Sequence, residues 1–577
     1  MWCCSGAASV VAAASETVLG AFEPRTFDVQ VWTPSPGIPY PEETSGLLSS
    51  RKGSSFGVAF SGGGMRCATL SVGWLQALHE MGLLKECKYL STISGSTWTA
   101  GPMTFTSLSV DEFLAKGLEP EKLTLSAMES LAGGSGNRSH LSTLCKAHFM
   151  SSMLSDAASN VPGAALGVCD WSNSVDWWSE AVGKSFFAPG TLPGLCHLNA
   201  TLPAASVGKA QDLSGKLGGL VDKVVPCRDL SSSPFLIMNG SVMVGGELGC
   251  VPLEFTPLYF GLPVSYQSGD VKINAVMVEP AGWCHTGPAA VVSPPVGGGQ
   301  AAVASVTVSR LVSIHEQSGV SSSNIAQTHG DTMSSDAYKR AQMPEFQCYG
   351  NGVLRCVDGG STDNTGILAL LRRNVQSVLA CLACNLPVSD PGVGDANAHS
   401  LGTLAGLFGV QKSASGEVDS VKDKEYNGQR AVFPASAWDE LIAAMRARLQ
   451  QGQTPVHTLR VPVASNALAG VRGGYTLTLT VVLSTECRAF VDRLPAETRQ
   501  QIEKDKAAAG AGGVIQSASN SLQGVGLLAA NLATYPYVPV AHLRYSPALA
   551  GLMSQQARWT LAQHADDLRA LARGSAV

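Results

Sequence analysis

Residues Phe56 to Ala100 leave few folding options open. Phe56-Gly57-Val58-Ala59-Phe60 is a short apolar run stopped by Ser61-Gly62-Gly63-Gly64, the pattern of a strand buried on both faces. Leu70, Trp74, Leu78 and Met81 then recur at helical spacing and form one apolar stripe. Lys88 to Ile93 reads as a second strand, which ends at Ser94-Gly95-Ser96. With turns this tight the unit is a βαβ crossover with parallel strands, and such crossovers are right-handed in nearly all cases. Loops that follow parallel strands leave the sheet at the same edge, so the glycine loop and Ser94 are expected side by side.

That edge has a chemistry. Consecutive glycines at a helix N-terminus bring bare N–H groups and partial positive charge close to a ligand, which suits an oxyanion. Arg66 falls in the first helical turn, where a cation opposes the helix dipole, and this disfavoured place hints that it faces an anion such as a phosphate. The loop matches neither the phosphate cradle G-x-x-x-x-G-K-[ST] nor the dinucleotide pattern G-x-G-x-x-G. Thr92-Ile93-Ser94-Gly95-Ser96 is similar to the nucleophile elbow G-x-S-x-G, with Thr and Ser standing where that pattern has glycines. A Ser-Gly-Ser triplet or a glycine loop alone is an ordinary turn; joined by one crossover they become a candidate nucleophile beside a candidate oxyanion hole. Much later, the apolar run Val353 to Val357 delivers Asp358 at its C-terminal end, ahead of Gly359-Gly360-Ser361-Thr362-Asp363-Asn364. Asp363 is a rival acid, but its place before the helical run Gly366 to Arg373 suits a helix cap.

Ser61-Gly62-Gly63-Gly64-Met65-Arg66, Ile93-Ser94-Gly95-Ser96-Thr97-Trp98 and Asp358-Gly359-Gly360 together resemble signatures of the cytosolic phospholipase A2 and fungal lysophospholipase (phospholipase B) family, relatives of the patatins. Pro252 to Gly261 is similar to a further box of that family, with Leu258 and Tyr259 where the box has Tyr and Glu, and it is read as scaffold. The resemblance runs from about residue 50 to the C-terminus. It implies a patatin-like three-layer α/β/α fold with a central, largely parallel sheet and cap-like insertions. It also implies a serine acyl hydrolase that cleaves phospholipid or lysophospholipid esters through a Ser-Asp dyad and an acyl-enzyme. Ser94 would be the nucleophile, Asp358 the base, Gly62, Gly63 and Gly64 the oxyanion hole, and Arg66 the phosphate contact, with no metal and no cofactor. Two alternatives stay open: a Ser-His-Asp esterase using His399, His457, His542 or His564, and a silent lipid-binding scaffold.

Composition narrows the partners. A net charge near −5 excludes a strongly basic nucleic-acid binder, and no apolar stretch reaches the roughly 18 residues that span a bilayer. The resemblance implies a phospholipid or lysophospholipid as partner and a transient membrane surface, with no obligate protein partner. Cytoplasmic localisation with peripheral membrane association is expected, and secretion is the alternative. Fifteen scattered cysteines favour reduced thiols. Cys381-Leu-Ala-Cys384 lies in an expected buried strand, Gln376 to Asn385, where positions i and i+3 point to opposite faces, so a metal or redox role is disfavoured.

The expected organisation is an N-terminal arm over 1–50, whose first fifteen residues could be a signal or, through Cys3 and Cys4, an acylated segment, and a catalytic domain over 51–577. Insertions are expected at about 105–232, 290–345 and 387–430. The first holds Trp171, Trp177, Trp178, Phe186 and Phe187, which read either as a lipid-facing cap or, since Trp178, Val182 and Phe186 share a helix face, as core. Ser293 to Ala304 and Gln317 to Ser335 read as loop, and 507–526 as a low-complexity stretch. Trp438 to Leu449 reads as an amphipathic helix, and Val456 to Val463 and Tyr475 to Leu483 as strands, while Ala533-Thr-Tyr-Pro-Tyr to Ser554-Gln-Gln-Ala-Arg-Trp559 resembles the same family's closing segment, which implies a final helix.

Overall fold

The fold is given by a computed structural model that describes residues 21–147, 177–187, 198–199, 224–225, 227–293, 302–323, 355–384, 404–410, 429–508 and 530–574, less residues 45, 52, 134–135, 246–248, 269–270, 284, 311 and 541. Alternation decides the first element. Phe27, Val29 and Val31 are buried in turn along Ala21–Trp32 (β1), a strand and not the loose arm expected over 1–50. β1 belongs to the main sheet, so the expected boundary at residue 50 cuts a continuous core. Phe56–Phe60 (β2), Gly64–Glu80 (α1) and Tyr89–Ile93 (β3) then form the anticipated βαβ unit, with Gly57 opposite Tyr89 and Phe60 opposite Thr92 in parallel register. The helix Thr97–Phe105 (α2) follows the serine turn.

Beyond the first insertion, whose described part includes Trp177–Val182 (α3), come Phe235–Gly245 (β4), Gly249–Phe255 (β5), Phe260–Leu262 (β6) and Val276–Val278 (β7). The chain continues through His285–Ser293 (β8), Ala302–Arg310 (β9), Ile314–Ser321 (α4) and Arg355–Asp358 (β10). It ends with Ile367–Arg372 (α5), Ser377–Ala383 (β11), Ala435–Gln450 (α6), Val456–Val463 (β12), Tyr475–Ser484 (β13) and Pro547–Ala562 (α7). The sheet order is β8-β9-β1-β7-β6-β5-β4-β3-β2-β11-β13-β12, with β10 also paired to β4.

The centre, β4-β3-β2-β11-β13, is parallel throughout. Antiparallel pairs extend it on both sides, one strand (β12) at the β13 end and a longer wing from β5 to β8. Both faces of the centre are covered. Along β11, Leu379, Cys381 and Ala383 face a core shared with α1 and α7, while Val378, Ala380 and Leu382 face a second core shared with α5 and α6. This is the expected α/β/α layering, in which strands buried on both sides lose the polar alternation of a half-exposed sheet. The all-apolar CxxC segment is thereby explained: Cys381 and Cys384 are buried packing residues, with thiols pushed up in pKa by burial.

Regular structure reaches into two stretches read as loop: β9 begins at Ala302, within 293–304, and α4 runs to Ser321, within 317–335, while 294–301 and 324–335 lie outside the described residues. β9 uses Ala304, Val306 and Val308 to reach the core and pairs with β1 over eight registered positions, including Phe27 with Val306. α4 begins at a capping box in which the Ser313 hydroxyl accepts from the Glu316 N–H. The described members of the aromatic cluster are core: Trp178, Phe186 and Phe187 are buried, and Phe186 stacks on Trp98 with ring centroids 4.4 Å apart. Trp171, the Trp177 side chain, the first 20 residues with Cys3 and Cys4, His399 and residues 509–529 lie outside the described residues. No helix among the described residues is long and apolar enough to cross a membrane.

Candidate active site

β3 and β10 meet head to head. β3 runs parallel to β4 and ends with Ile93 opposite Asn239; β10 runs antiparallel to β4 and ends with Asp358 opposite Gly240. Ser94 and Asp358 therefore arrive from opposite directions at adjacent rungs of one strand. The sequence reading had the strand before Asp358 deliver it at its C-terminal end, and the structure adds that this strand approaches β4 antiparallel. The result is a hydrogen bond in which Ser94 Oγ donates to Asp358 Oδ2 at 3.0 Å, with both residues buried (7% and 4% exposed). The other carboxylate oxygen, Oδ1, accepts from the Gly360 N–H at 2.8 Å, which fixes the carboxyl plane.

Ser94 has φ +53, a left-handed conformation rare for a residue with a side chain. This sharp turn throws the hydroxyl off the end of β3. The backbone after it must pass so close to the glycine loop that a Cβ on Gly95 would sit 1.9 Å from the Gly64 carbonyl oxygen. Thr92 fits in place of the elbow's first glycine because its hydroxyl donates to the Ile237 carbonyl at 3.2 Å. Ser96, in place of the second, donates to the Ile93 carbonyl at 2.8 Å and accepts from the Ile93 N–H at 2.9 Å.

The glycine loop lies directly against the serine. A Cβ on Gly62 would come within 3.1 Å of Ser94 Cβ and 2.1 Å of Asn364 Oδ1. The Gly62 N–H already donates to the Asn364 carbonyl at 3.1 Å, which removes it from the expected set of three oxyanion donors. The N–H groups of Gly63 and Gly64 open helix α1, where the first N–H groups of a helix lack intrahelical acceptors and the dipole places roughly half a positive charge.

Arg66 departs from expectation. It is 1% exposed, and its Nη1 donates to the Val538 carbonyl at 2.6 Å. Val540 of the same segment approaches Gly64, whose Cβ would meet its carbonyl at 3.2 Å. The guanidinium thus ties the 538–540 segment over the glycine loop and does not stand open to a head group. Asp363 is the helix cap that its position suggested: Oδ1 accepts from Thr365 N at 2.8 Å and Oδ2 from Leu368 N at 2.8 Å. Glu254, which alone reads as a surface carboxylate, is fully buried against Arg372 and Arg373, each with an N–O distance of 2.8 Å. Burial raises its pKa, but Arg373 and Arg372 override this and hold the carboxyl below its usual value. The pair braces β5 against α5 and supports the scaffold reading.

His457 pairs with Glu440 at 3.9 Å, and His564 bonds Thr454 at 2.6 Å and Asp567 at 3.4 Å. Neither set of contacts involves Ser94, whose hydroxyl has a carboxylate partner. No group of His, Cys, Asp and Glu suited to a metal ion occurs among the described residues. Sequence reasoning missed Ser321 of α4, whose hydroxyl accepts from the Ser94 N–H at 3.0 Å. The only signal near it was the Ser313-x-x-Glu316 helix start.

Residues 56–141 match the family model described as the lysophospholipase catalytic domain. No curated protein matches the chain. Among solved structures, human GIVD cytosolic phospholipase A2 aligns with 94% of this chain and 68% of its own length at 14% identity and a TM-score of 0.45. Its complex with methyl gamma-linolenyl fluorophosphonate and terbium chloride aligns with 96% and 70% at 14% identity and a TM-score of 0.44. The matched stretch, from β2 through the elbow, carries a lysophospholipase-type catalytic core, so the chain is an enzyme of the phospholipase and lysophospholipase class.

Proposed function

We propose that this lysophospholipase-type enzyme hydrolyses fatty acyl esters of phospholipids or lysophospholipids through Ser94 and Asp358, with a covalent acyl-enzyme between the two half-reactions. The hydrogen bond from Ser94 Oγ to Asp358 Oδ2, beside a glycine loop at a helix N-terminus, carries this reading. A serine hydroxyl attacks usefully only when a base takes its proton as the new bond forms. Asp358 Oδ2 is in place to do so while Oδ1 stays anchored on Gly360.

In the first half-reaction the Ser94 oxygen bonds to the acyl carbon and its proton passes to Asp358. Negative charge builds on the former carbonyl oxygen, for which the N–H groups of Gly63 and Gly64 are the donors at hand. Losing one such donor costs about 100- to 1,000-fold in turnover. Collapse expels the glycerol-side alkoxide, which recovers the proton from Asp358. Water then attacks the acyl-serine, gives a proton to Asp358, and Ser94 leaves as the free hydroxyl when that proton returns. The fatty acid is the second product. Contact with a membrane surface is part of the proposal, because the substrate resides there.

The test is fatty acid release from phosphatidylcholine and lysophosphatidylcholine vesicles, in chelator, by the parent chain, Ser94→Ala and Asp358→Asn. Removing a positioned general base typically costs about 100- to 10,000-fold. Both variants should fall by at least that order while retaining the parent's circular dichroism spectrum. Undiminished release by Ser94→Ala would overturn the proposal.

A further inference from the structure

We infer that Ser321 is a positioning residue for the nucleophile, acting through the Ser94 backbone. The inference rests on Ser94 being the attacking group. A side-chain-bearing residue at positive φ persists only where its surroundings over-determine it. At Ser94 the constraint is visible. The Ser94 N–H donates to Ser321 Oγ at 3.0 Å, and that hydroxyl in turn donates to the Asn239 carbonyl at 2.5 Å. The Asn239 side chain returns to β3, its Nδ2 donating to Ser91 Oγ at 2.9 Å and to the Thr92 carbonyl at 3.0 Å. Ser321 is thus a relay with its acceptor and donor both used, closing a loop from the elbow through α4 to β4 and back to β3. All of these groups are buried.

Ser321 is one of three hydroxyls on a single helix face. Ser318 pairs with Thr97 at 2.7 Å, and Ser322 accepts from the Trp98 and Trp178 indole N–H groups at 3.0 and 3.1 Å. Positions 318, 321 and 322 share a face of α4 by the i, i+3, i+4 rule, and they meet 97, 94 and 98 across the seam. Ser318 and Ser322 dock the helix. Of the three, Ser321 alone reaches the nucleophile's own peptide, so removing its hydroxyl leaves the Ser318 and Ser322 contacts standing and frees the Ser94 N–H together with the Asn239 carbonyl. Misplacing a reacting group by about 1 Å can cost on the order of 100-fold.

The experiment compares the parent with Ser321→Ala, Ser321→Thr, Ser323→Ala and Ser94→Ala. Ser323 lies on the next turn, and its hydroxyl donates only to the Val320 carbonyl among the described residues. Fatty acid release from lysophosphatidylcholine gives kcat and KM, and the rate of covalent capture by an alkyl fluorophosphonate reports attack by the serine itself. We expect Ser321→Ala to lower kcat and the capture rate together by about 10- to 100-fold with KM within about twofold. Ser321→Thr, which keeps a hydroxyl, should recover most of the loss, and Ser323→Ala should match the parent. The inference is overturned if Ser321→Ala captures the probe at the parent's rate while Ser94→Ala is dead, or if Ser323→Ala falls equally. Full activity in Ser94→Ala is a separate result, since it removes the nucleophile on which this inference depends.

Discussion

His140 should make the folded protein acid-sensitive by an amount that can be worked out beforehand. It is fully buried, stacked on Phe113 with centroids 4.6 Å apart, and burial pushes its imidazole down from 6.5 to about 3, with the Trp98 backbone offsetting only part of the shift. The folded chain therefore keeps this ring neutral where the unfolded chain protonates it. Stability from this source is complete above the unfolded value near 6.5 and erodes as the pH falls toward 3, at a limiting slope of about 1.4 kcal/mol per pH unit. Between pH 8 and pH 5 the loss comes to about 2 kcal/mol. His140→Phe keeps an aromatic ring against Phe113 and abolishes the proton uptake. Unfolding free energies from urea titrations of parent and variant, measured from pH 8 to pH 5, should diverge by that amount, the parent losing more. His457 and His564 are also depressed by burial, but they contribute equally to both proteins and cancel in the difference. Parallel curves, agreeing within about 0.5 kcal/mol at every pH, would refute the reasoning.

Three further outcomes follow from single contacts. Arg66→Met removes the bond to the Val538 carbonyl, a charged hydrogen bond with a net value of about 1.5–3 kcal/mol, so the melting temperature should fall. Hydrolysis of a neutral nitrophenyl ester and of a phospholipid should then decline in the same proportion, whereas a loss confined to the phospholipid would mean that the guanidinium meets the head group after all. Arg373→Met leaves Glu42 without its 2.6 Å partner and strips Glu254 of one of two, and breaking such a buried pair costs about 3–5 kcal/mol in a urea titration. A change under about 1 kcal/mol would show that the network is neutral to stability. Gly73→Ala would place a methyl 1.8 Å from the Ser554 carbonyl oxygen, where α1 crosses α7; the strain, about 1–3 kcal/mol, should outweigh the gain in helix propensity and lower the melting temperature.

What the sequence disclosed depended on how local each signal was. β2, α1, β3, β12 and β13 are legible because one segment contains its own periodicity and its own stop, and the structure gives Phe56–Phe60, Val456–Val463 and Tyr475–Ser484 almost as read. Ser94, Gly63, Gly64 and Asp358 stand out because unusual backbone demands are written in short glycine-rich strings. β1 was hidden by Pro24 and by the charges of Glu23, Arg25 and Asp28, although Phe27, Val29 and Val31 alternate beneath them. β9 was hidden by the small and hydroxyl residues between its buried ones: Ser305 and Thr307 are half-buried and separate Ala304, Val306 and Val308. The burial of Arg66 and of Glu254 was not legible at all, since each depends on a partner far along the chain: Val538 for one, Arg372 and Arg373 for the other. Gly62 shows the same limit within the motif itself, for only the fold reveals that its N–H is spent on Asn364.

The head-on meeting of β3 and β10 explains why so much chain must be in place before any chemistry begins. A nucleophile and an acid on neighbouring parallel strands would need only one crossover to bring them together. Here β4 is the common template, and the two strands occupy successive stretches of the same side of it, with Ile93 and Asp358 on consecutive rungs, Asn239 and Gly240. A shift of either strand by one rung would reverse which face each side chain points to and separate hydroxyl from carboxylate. The register is held by residues from three segments remote from the elbow in sequence: Asn239 in β4, the Gly359 turn packed so tightly that a Cβ would lie 2.2 Å from the Asn239 carbonyl, and α4 through Ser321. The stretch that matches the lysophospholipase family ends at residue 141 and contains the serine without its acid or its brace. On the proposed dyad, activity requires β3, β4, β10 and α4 together, and a chain truncated anywhere between residues 142 and 354 should retain the signature and lose the reaction.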